Sequence, residues 1–331
     1  MPGLDVPFAL LDRSRTRVGE PDAVAVRATV ERARRVEELG YARFWVAEHH
    51  AVPGIASGSP AVLAAAVAAR THRIRVGSGG VMLPNHAPLV VAEQFAVLES
   101  LYPGRIDLGL GRSLGFSAPV REALGATRAG PEDFLRDVAL VRAYLAGRGP
   151  VTARPVVTPA PPVFVLASGS GLTLAARAGL PVVVGGPALA GPAPLEPYRS
   201  TFDGGAEPVA GGPARPYVIV SANVMVAATR AMAEELLLPD AWAMAASRTT
   251  GAYPPLEDAA AVRRRRLTPK QRARVEQFYD QAIFGTPDEV GDALADLVRR
   301  TGAHEVMVTT STYDRDDLAR ADASIARLFS A

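Results

Sequence analysis

The chain has 331 residues, with 36 Lys and Arg against 34 Asp and Glu, and 48% of its residues are hydrophobic, as in a globular protein with a sizeable core. It has one Lys, Lys270. It has no Cys, and this absence excludes disulfides, cysteine-bound metals, iron–sulfur clusters and a thiol nucleophile. A net charge of +2 and no apolar run of about 18 residues argue against nucleic-acid and membrane partners, so we expect a cytoplasmic protein without a signal peptide.

Short apolar runs alternate with longer amphipathic runs along the whole chain. The first part predicts strand 5–11, helix 21–39, strand 43–47, helix 60–70, strand 74–77, helix 89–101 and strand 105–110. The second part predicts helix 131–146, strand 163–167, helix 172–178, strand 182–184, helix 194–202, strand 217–226, helices 229–238, 269–283 and 287–300, strand 305–309 and helix 314–329. Eight strands joined by helices predict an α/β protein with a closed (β/α)8 TIM barrel, and a doubly wound open sheet is the alternative.

The barrel is predicted to occupy residues 1–331 as a single domain. Residues 240–268 have weak periodicity and follow the seventh predicted strand. Long insertions at this position in a barrel usually serve as lids or substrate walls. We therefore expect residues 240–268 to be an insertion or lid, and we expect substrate-facing walls there and in residues 113–130.

Polar and small residues follow the carboxyl ends of several predicted strands, where barrel enzymes carry their active sites. After the second strand comes Glu48-His49-His50, which has three interpretations. It is a metal site completed by His86 or Asp107, a set of loop residues satisfied by hydrogen bonds, or a single histidine lining a small-molecule pocket with a pKa near neutrality.

The end of the fifth predicted strand has the composition of a phosphate site. Ser168-Gly169-Ser170-Gly171 offers hydroxyl groups and unhindered amides at the start of a helix, although a tight turn with a helix cap has the same composition. Arg112 ends the neighbouring fourth strand, and its guanidinium binds phosphate well. Gly109-x-Gly111-x-x-x-Gly115 does not match the dinucleotide-binding fingerprint. We therefore do not assign a dinucleotide-binding motif to these glycines.

A third feature is the glycine-rich run 77–80 (GSGG) inside the third predicted strand. Glycine within a strand marks either a simple bulge or a close approach of the backbone to a ligand. A flat ring system requires such a wall, so both interpretations stay open from the residues alone.

These segments resemble the bacterial luciferase-like flavin-dependent monooxygenases, and they occur in the family's order over almost the whole chain. They are 39–50 (LGYARFWVAEHH), 74–88 (IRVGSGGVMLPNHAP), 92–95 (AEQF), 103–112 (PGRIDLGLGR), 175–181 (AARAGLP), 198–202 (YRSTF) and 284–290 (FGTPDEV). The resemblance implies an enzyme that binds reduced FMN, supplied by a separate flavin reductase. It also implies that molecular oxygen is activated as a flavin peroxide, which oxidises a small organic substrate, expected here to be apolar.

The resemblance also implies roles for particular residues. His49 faces the flavin and takes part in proton transfer, while Ser78 and Gly79 form a bulge, often with a non-proline cis peptide, against the flavin ring. Arg112 and the Ser168–Gly171 turn hold the flavin phosphate, and no metal is implied. The turn is richer in glycine than is common in the family, so backbone amides are expected to replace hydroxyl groups in the phosphate contacts.

Three alternatives remain. The same barrel could use the deazaflavin F420 as a hydride carrier, or the chain could be a non-catalytic partner subunit of an oxygenase. A metal-dependent barrel hydrolase is the third alternative. By analogy with the family we also expect a homodimer, with the predicted helices 60–70 and 89–101 at its interface.

Overall fold

A computed structural model defines the architecture of the chain. It describes residues 4–115, 117–125, 130–186, 189, 191–203, 215–251 and 253–329. Residues 116 and 126–129 of the predicted wall 113–130, and residue 252 of the segment 240–268, lie outside the described residues.

The strands come in an order that closes a barrel. They are β1 (Phe8–Asp12), β2 (Arg43–Val46), β3 (Arg75–Ser78), β4 (Val81–Met82), β5 (Ile106–Gly111), β6 (Val163–Ala167), β7 (Val182–Gly185), β8 (Val218–Ala222), β9 (Val224–Val226), β10 (Ile283–Gly285) and β11 (Glu305–Val308). The order β3-β2-β1-β11-β8-β7-β6-β5 is closed by pairing of β3 with β5, and every pair is parallel. The predicted (β/α)8 barrel is confirmed, while the short strand β4 pairs with the end of β5 and the β9–β10 pair forms a separate small sheet.

Helices connect consecutive strands and cover the barrel. They are α1 (Asp22–Glu38), α2 (Pro60–Ala68), α3 (Pro88–Leu101), α4 (Ala118–Ala123), α5 (Pro131–Leu145), α6 (Gly171–Arg177), α7 (Glu196–Ser200), α8 (Arg230–Thr250), α9 (Ala259–Arg263), α10 (Pro269–Gln281), α11 (Pro287–Thr301) and α12 (Arg315–Phe329). Among the described residues, no helix combines the length and the apolar character needed to cross a membrane.

Strand alternation divides the core into two layers. In β2, Phe44 and Val46 belong to the large hydrophobic cluster between the strands and the helices, whereas Trp45 belongs to the small cluster inside the barrel. Successive side chains of a strand point to opposite faces, which explains this split. Inside the barrel the Trp45 ring meets the edge of Phe164 at 5.1 Å between centroids. The barrel interior at this level is therefore filled with side chains.

The amino-terminal end of the barrel is closed by an ion-pair network. Asp107, fully buried, accepts hydrogen bonds from Arg43 Nη1 at 2.6 Å, Arg75 Nη2 at 2.6 Å and Trp45 Nε1 at 3.0 Å. Arg43 also donates to both carboxylate oxygens of Glu305, each at 3.0 Å. Asp107 thus lies at the opposite end of the barrel from Glu48, and its proposed pairing with Glu48 around a metal is wrong.

The region after β8 differs from the predicted elements. The predicted strand 217–226 is broken into β8 and β9, and the predicted helix end at Leu238 is wrong, because α8 continues to Thr250. Residues on many sides of α8 are buried, including Pro239, Asp240 and Trp242, so no single apolar stripe reveals the helix in the sequence. The first part of the segment 240–268 is therefore a packed helix.

Candidate active site

A cavity of about 420 Å³ lies at the carboxyl ends of the barrel strands, where the sequence predicts the site. It is bounded by the ends of β2, β4, β5 and β6, the glycines after β3, and the last turns of α8. Its lining residues are Glu48, His49, His50, Val52, Gly79, Gly80, Met82, Gly111, Ser113, Leu114, Leu166, Met244, Ser247, Arg248 and Tyr253. We call this space the candidate cavity.

Glu48 is the centre of a hydrogen-bond network in the wall of the candidate cavity. Its Oε1 accepts from His50 Nε2 at 2.7 Å and from His86 Nε2 at 2.8 Å, and its Oε2 accepts from the Met82 amide at 3.0 Å. Burial alone would raise the pKa of Glu48, but the hydrogen bonds from His86, His50 and the amide outweigh it and hold the pKa below its ordinary value. Glu48 is therefore a buried carboxylate that fixes two histidines.

The same three side chains are the metal-ligand candidate of this wall. Within the described part of the chain, Glu48, His50 and His86 offer donor atoms that all lie within 4.8 Å of one another. His49 is not in this group, although the sequence places it between two of its members. The Nε2 atoms of His50 and His86 both donate to Glu48 Oε1, so these three side chains already form a hydrogen-bonded group.

His49 faces the candidate cavity as a neutral imidazole. Burial, followed by the positive charges of Arg13 and Arg15, lowers its pKa to about 4. The sequence predicts a pKa near neutrality. That prediction omits two effects that only the fold reveals, namely the burial of His49 and its proximity to two arginines that are distant from it along the chain. The Nδ1 atom of His49 is buried and has no hydrogen-bond partner within the described residues. Its ring can therefore exchange a hydrogen bond with a ligand in the cavity.

Backbone atoms of Gly79 and Gly80 form another wall of the candidate cavity. The peptide between Gly79 and Gly80 is cis, one residue later than the resemblance implies. A Cβ at Gly79 would lie 2.4 Å from Leu11 Cδ1, and one at Gly80 would lie 2.8 Å from the carbonyl oxygen of Gly109. A Cβ at Gly79 would point into the barrel, towards Leu11 and Trp45, and one at Gly80 towards the backbone of Gly109, so this wall presents peptide atoms to the cavity.

Ser78 supports this wall from behind. Its side chain is fully buried, and its hydroxyl donates to the Gly109 carbonyl at 2.8 Å and accepts from the Gly109 amide at 3.0 Å. Both bonds tie β3 to β5. The Ser78 hydroxyl is therefore used within the barrel, and Ser78 is not among the residues that line the candidate cavity.

Arg112 and the predicted phosphate turn follow adjacent strands. In the parallel pair β5–β6, Gly111 lies opposite Leu166, so Arg112 and Ser168 emerge side by side at the rim. Ser168 and Ser170 are exposed, and Gly169 has a φ of +52°. The amides of Gly171 and Leu172 donate to carbonyls within the turn, so these two amides are already engaged. These residues lie beside the candidate cavity and do not line it.

Four residues of the cavity come from the segment expected to be a substrate wall. Met244, Ser247 and Arg248 project from the end of α8, and Tyr253 follows the helix. The sequence names this segment but none of these side chains, because their convergence depends on the position of α8. Ser113 and Leu114 from the other predicted wall also line the cavity.

The comparison with known proteins agrees with the geometry. Residues 6–305 match the family model described as luciferase-like monooxygenase, and the chain belongs to this family. It is 36% identical over 331 residues to the uncharacterized protein YvbT of Bacillus subtilis (strain 168), covering 96% of this chain and 94% of the relative. It is 36% identical over 323 residues to a luciferase-like monooxygenase of Escherichia coli (strain K12), covering 93% of this chain and 92% of the relative.

Several solved structures share the fold of this chain. The crystal structure of apo-MsnO8 has a TM-score of 0.87 and 33% identity, covering 98% of both chains. The oxygenating constituent of 3,6-diketocamphane monooxygenase from Pseudomonas putida, in complex with FMN, shares the fold at a TM-score of 0.73 and 18% identity. The match covers 98% of this chain and 97% of that chain. An F420-dependent secondary alcohol dehydrogenase shares the fold at a TM-score of 0.67 and 13% identity, covering 99% of this chain and 100% of that chain.

Proposed function

We propose that the protein is an FMN-dependent monooxygenase that oxidises a small organic molecule with molecular oxygen. The observation that carries this proposal is the candidate cavity itself, in which a flat wall of peptide backbone at Gly79 and Gly80 shares one space with the neutral His49. A planar ring can stack only where no Cβ intervenes, and both glycines meet this requirement. The proposal rests on this geometry together with membership of the family.

The residues present fit a flavin mononucleotide. Gly79 and Gly80 would contact the ring, and Arg112 with the hydroxyls of Ser168 and Ser170 would hold the phosphate at the neighbouring rim. An arginine and hydroxyl donors suit a phosphate dianion. Reduced FMN supplies the electrons with which oxygen is activated, and such chemistry belongs to the cofactor.

The protein's own residues position and shield the reactants. His49 presents an unprotonated ring near pH 7, so it accepts or donates a hydrogen bond without adding charge to the cavity. Glu48 keeps His50 and His86 in fixed orientations. Met244 and Leu114 supply apolar surface that excludes water and suits an apolar part of the substrate.

Ligand titration tests the cofactor. We expect FMN to bind more tightly than riboflavin, which lacks the phosphate, and Arg112→Met to reduce FMN affinity to the riboflavin level while riboflavin binding is unchanged. F420 is the second ligand in the titration, because one neighbour of this fold uses it. Tighter binding of F420 than of FMN, with hydride transfer to it, would replace this proposal with the deazaflavin alternative.

Turnover tests the reaction and the partners. We propose that a separate flavin reductase supplies reduced FMN. The purified chain should then consume oxygen only when reductase, NADH and FMN are all present. Oxygen uptake that requires a second oxygenase chain would identify the protein as a partner subunit, and activity lost on EDTA treatment would favour the metal enzyme.

We also propose a homodimer formed through α2 and α3. Val62 on α2 and Val90, Val97 and Leu101 on α3 are large apolar residues with 69%, 47%, 45% and 61% exposure. Val90, Val97 and Leu101 recur at helical spacing on one face. Sedimentation should show a dimer that Val97→Glu dissociates, whereas Val151→Glu, at an exposed valine outside these helices, should leave it intact.

A further inference from the structure

The last turn of α8 brings a positive charge to the candidate cavity. Arg248 lies in this turn, is exposed to solvent, and lines the cavity. Within the part of the chain that the structure describes, its guanidinium makes no hydrogen bond and no ion pair. An arginine keeps its proton at pH values far above neutrality and offers five N–H donors. The cavity therefore has a permanent cation whose donors no described residue occupies.

No carboxylate among the described residues neutralises this cation. Of those that line the cavity, Glu48 alone is acidic, and its fully buried side chain accepts hydrogen bonds from its own wall on both oxygens. Asp240, earlier in α8, is engaged by Arg15 at 3.4 Å and by the Tyr253 hydroxyl at 3.4 Å. The charge of Arg248 is therefore left for a group that enters the cavity from outside.

Arg13 adds positive charge near the same cavity. Its side chain is half-buried in the loop after β1, and it forms no ion pair with any residue of the described ranges. Burial is the main cause of the lowered pKa of His49, and the positive charge of Arg13 is the next. A neutral His49 contributes no negative charge in return. The cavity that His49 and Arg248 line is therefore electropositive.

The end of α8 lies on the side of the cavity that belongs to the first two strands. Ala243 of α8 and Val52 of the loop after β2 are members of one hydrophobic cluster. Beyond the helix, the Leu256 amide donates to the Thr16 carbonyl in the loop after β1 at 2.9 Å. These contacts hold the backbone of Arg248 near β1 and β2.

The predicted phosphate site lies on the other side of the barrel. Arg112 and Ser168 follow β5 and β6. In the closed strand order β6 stands opposite β1, with three strands between them in either direction. A flavin phosphate held by Arg112 therefore leaves Arg248 for a different anion. Anion-binding groups at opposite edges of one cavity suit two ligands, the cofactor and the substrate.

We propose that the substrate is an organic acid anion, an apolar molecule that ends in a carboxylate, and that Arg248 binds this carboxylate. A planar guanidinium matches a carboxylate with two parallel hydrogen bonds. Met244, one turn before Arg248, and Leu114 supply apolar surface for the rest of the molecule. The expected apolar substrate thereby gains a charged end. This inference rests on the proposed function, because it assigns the flavin phosphate to Arg112.

The test must separate ligand binding from a structural role of Arg248. A positive side chain in the last turn of a helix stabilises that helix through its dipole, whatever the cavity contains. The comparison therefore uses two ligands of similar shape that differ in charge, cyclohexanecarboxylate and cyclohexanecarboxamide. A structural change in the cavity affects both ligands, whereas an ion pair affects the carboxylate alone.

Calorimetric titration of the FMN-loaded protein at pH 7 gives both dissociation constants. We expect the wild type to bind cyclohexanecarboxylate about tenfold or more tightly than the amide. Arg248→Met should abolish this preference, and Arg248→Lys should keep part of it. Added salt should weaken binding of the carboxylate and leave the amide unchanged. Arg27→Met is the matched control, because Arg27 is an exposed arginine of α1 that does not line the cavity.

Three results would overturn the inference. They are equal binding of the carboxylate and the amide by the wild type, a preference for the carboxylate that survives in Arg248→Met, and loss of FMN affinity in Arg248→Met, since Arg248 would then serve the cofactor. Tighter binding of cyclohexanesulfonate, with the same dependence on Arg248, would overturn the assignment to a carboxylate.

The same titrations without FMN distinguish this inference from the proposed function. A chain that binds FMN through Arg112 but does not discriminate between the carboxylate and the amide keeps the proposed function and loses the inference. A chain that binds the carboxylate through Arg248 but does not bind FMN loses the proposed function and keeps the carboxylate site.

Discussion

Replacing Glu48 by Gln should be far milder than replacing it by Leu, although both remove the charge. Glu48 accepts three hydrogen bonds, two on Oε1 from histidines and one on Oε2 from a buried amide. In Glu48→Gln the side-chain oxygen can still accept from the Met82 amide, and its NH₂ then faces His50 and His86. Both rings can accept these two hydrogens by moving their own proton from Nε2 to Nδ1. The number of hydrogen bonds is preserved.

The magnitudes separate the two variants. Hydrogen bonds to a charged group contribute about 1.5–3 kcal/mol and neutral ones about 0.5–1.5 kcal/mol, partly offset by the cost of burying the charge. We expect Glu48→Gln to lower the free energy of unfolding by about 1–2 kcal/mol. Glu48→Leu loses all three bonds and leaves the Met82 amide buried without an acceptor, for which we expect about 3–5 kcal/mol.

Urea unfolding gives the free energies, and ¹⁵N NMR of the histidine rings gives the tautomers. Wild type should show protonated Nε2 in His50 and His86, and Glu48→Gln should show protonated Nδ1 in both. The reasoning is refuted if Glu48→Gln unfolds as readily as Glu48→Leu, or if its two rings keep the wild-type tautomer.

Three further changes test His49, the glycine wall and the buried ion pairs of α1. His49→Ala should slow monooxygenation by about 10²–10⁴ with the fold intact, checked by steady-state turnover and circular dichroism. The pKa of His49 is about 4 in the folded protein and 6.5 in the unfolded chain, so between these pH values the unfolded chain binds a proton that the folded protein does not. The free energy of unfolding should therefore be full above pH 6.5 and fall as the pH decreases towards 4. His49→Ala should lack this pH dependence of the free energy of unfolding. Gly80→Ala should cost about 1–3 kcal/mol in urea unfolding and Gly111→Ala much less, since the nearest atom to a Cβ at Gly111 is 3.8 Å away. Arg32→Met should cost about 3–5 kcal/mol, because two buried carboxylates lose their partner; an unchanged urea midpoint would contradict this.

The barrel could be predicted from the sequence because its signals are local. Each buried strand is a short apolar run, and helices such as α1 carry an apolar stripe at helical spacing. The end of α8 could not be predicted, since Pro239 and burial on several sides hide the helical period. Secondary structure that is stabilised by tertiary packing from all sides leaves no periodic pattern to detect.

The site was predictable as a set of segments and not as a set of contacts. The strand-end positions of His49, Gly79 and Arg112 follow from barrel topology, and the structure places all three at one end. Ser78 shows the limit, because only the register between β3 and β5 reveals that its hydroxyl bonds to Gly109. The depressed pKa of His49 likewise requires the position of Arg15, which no spacing along the chain specifies.

The two walls of the candidate cavity differ in how freely evolution or design can change them. A Cβ at Gly79 would displace the Leu11 side chain and one at Gly80 would press on the Gly109 backbone, so every substitution on this wall costs stability. Met244, Ser247 and Arg248 stand on the end of one helix, where each can be exchanged without moving a strand. A library that seeks new substrates should therefore vary the α8 side and leave the glycine side untouched.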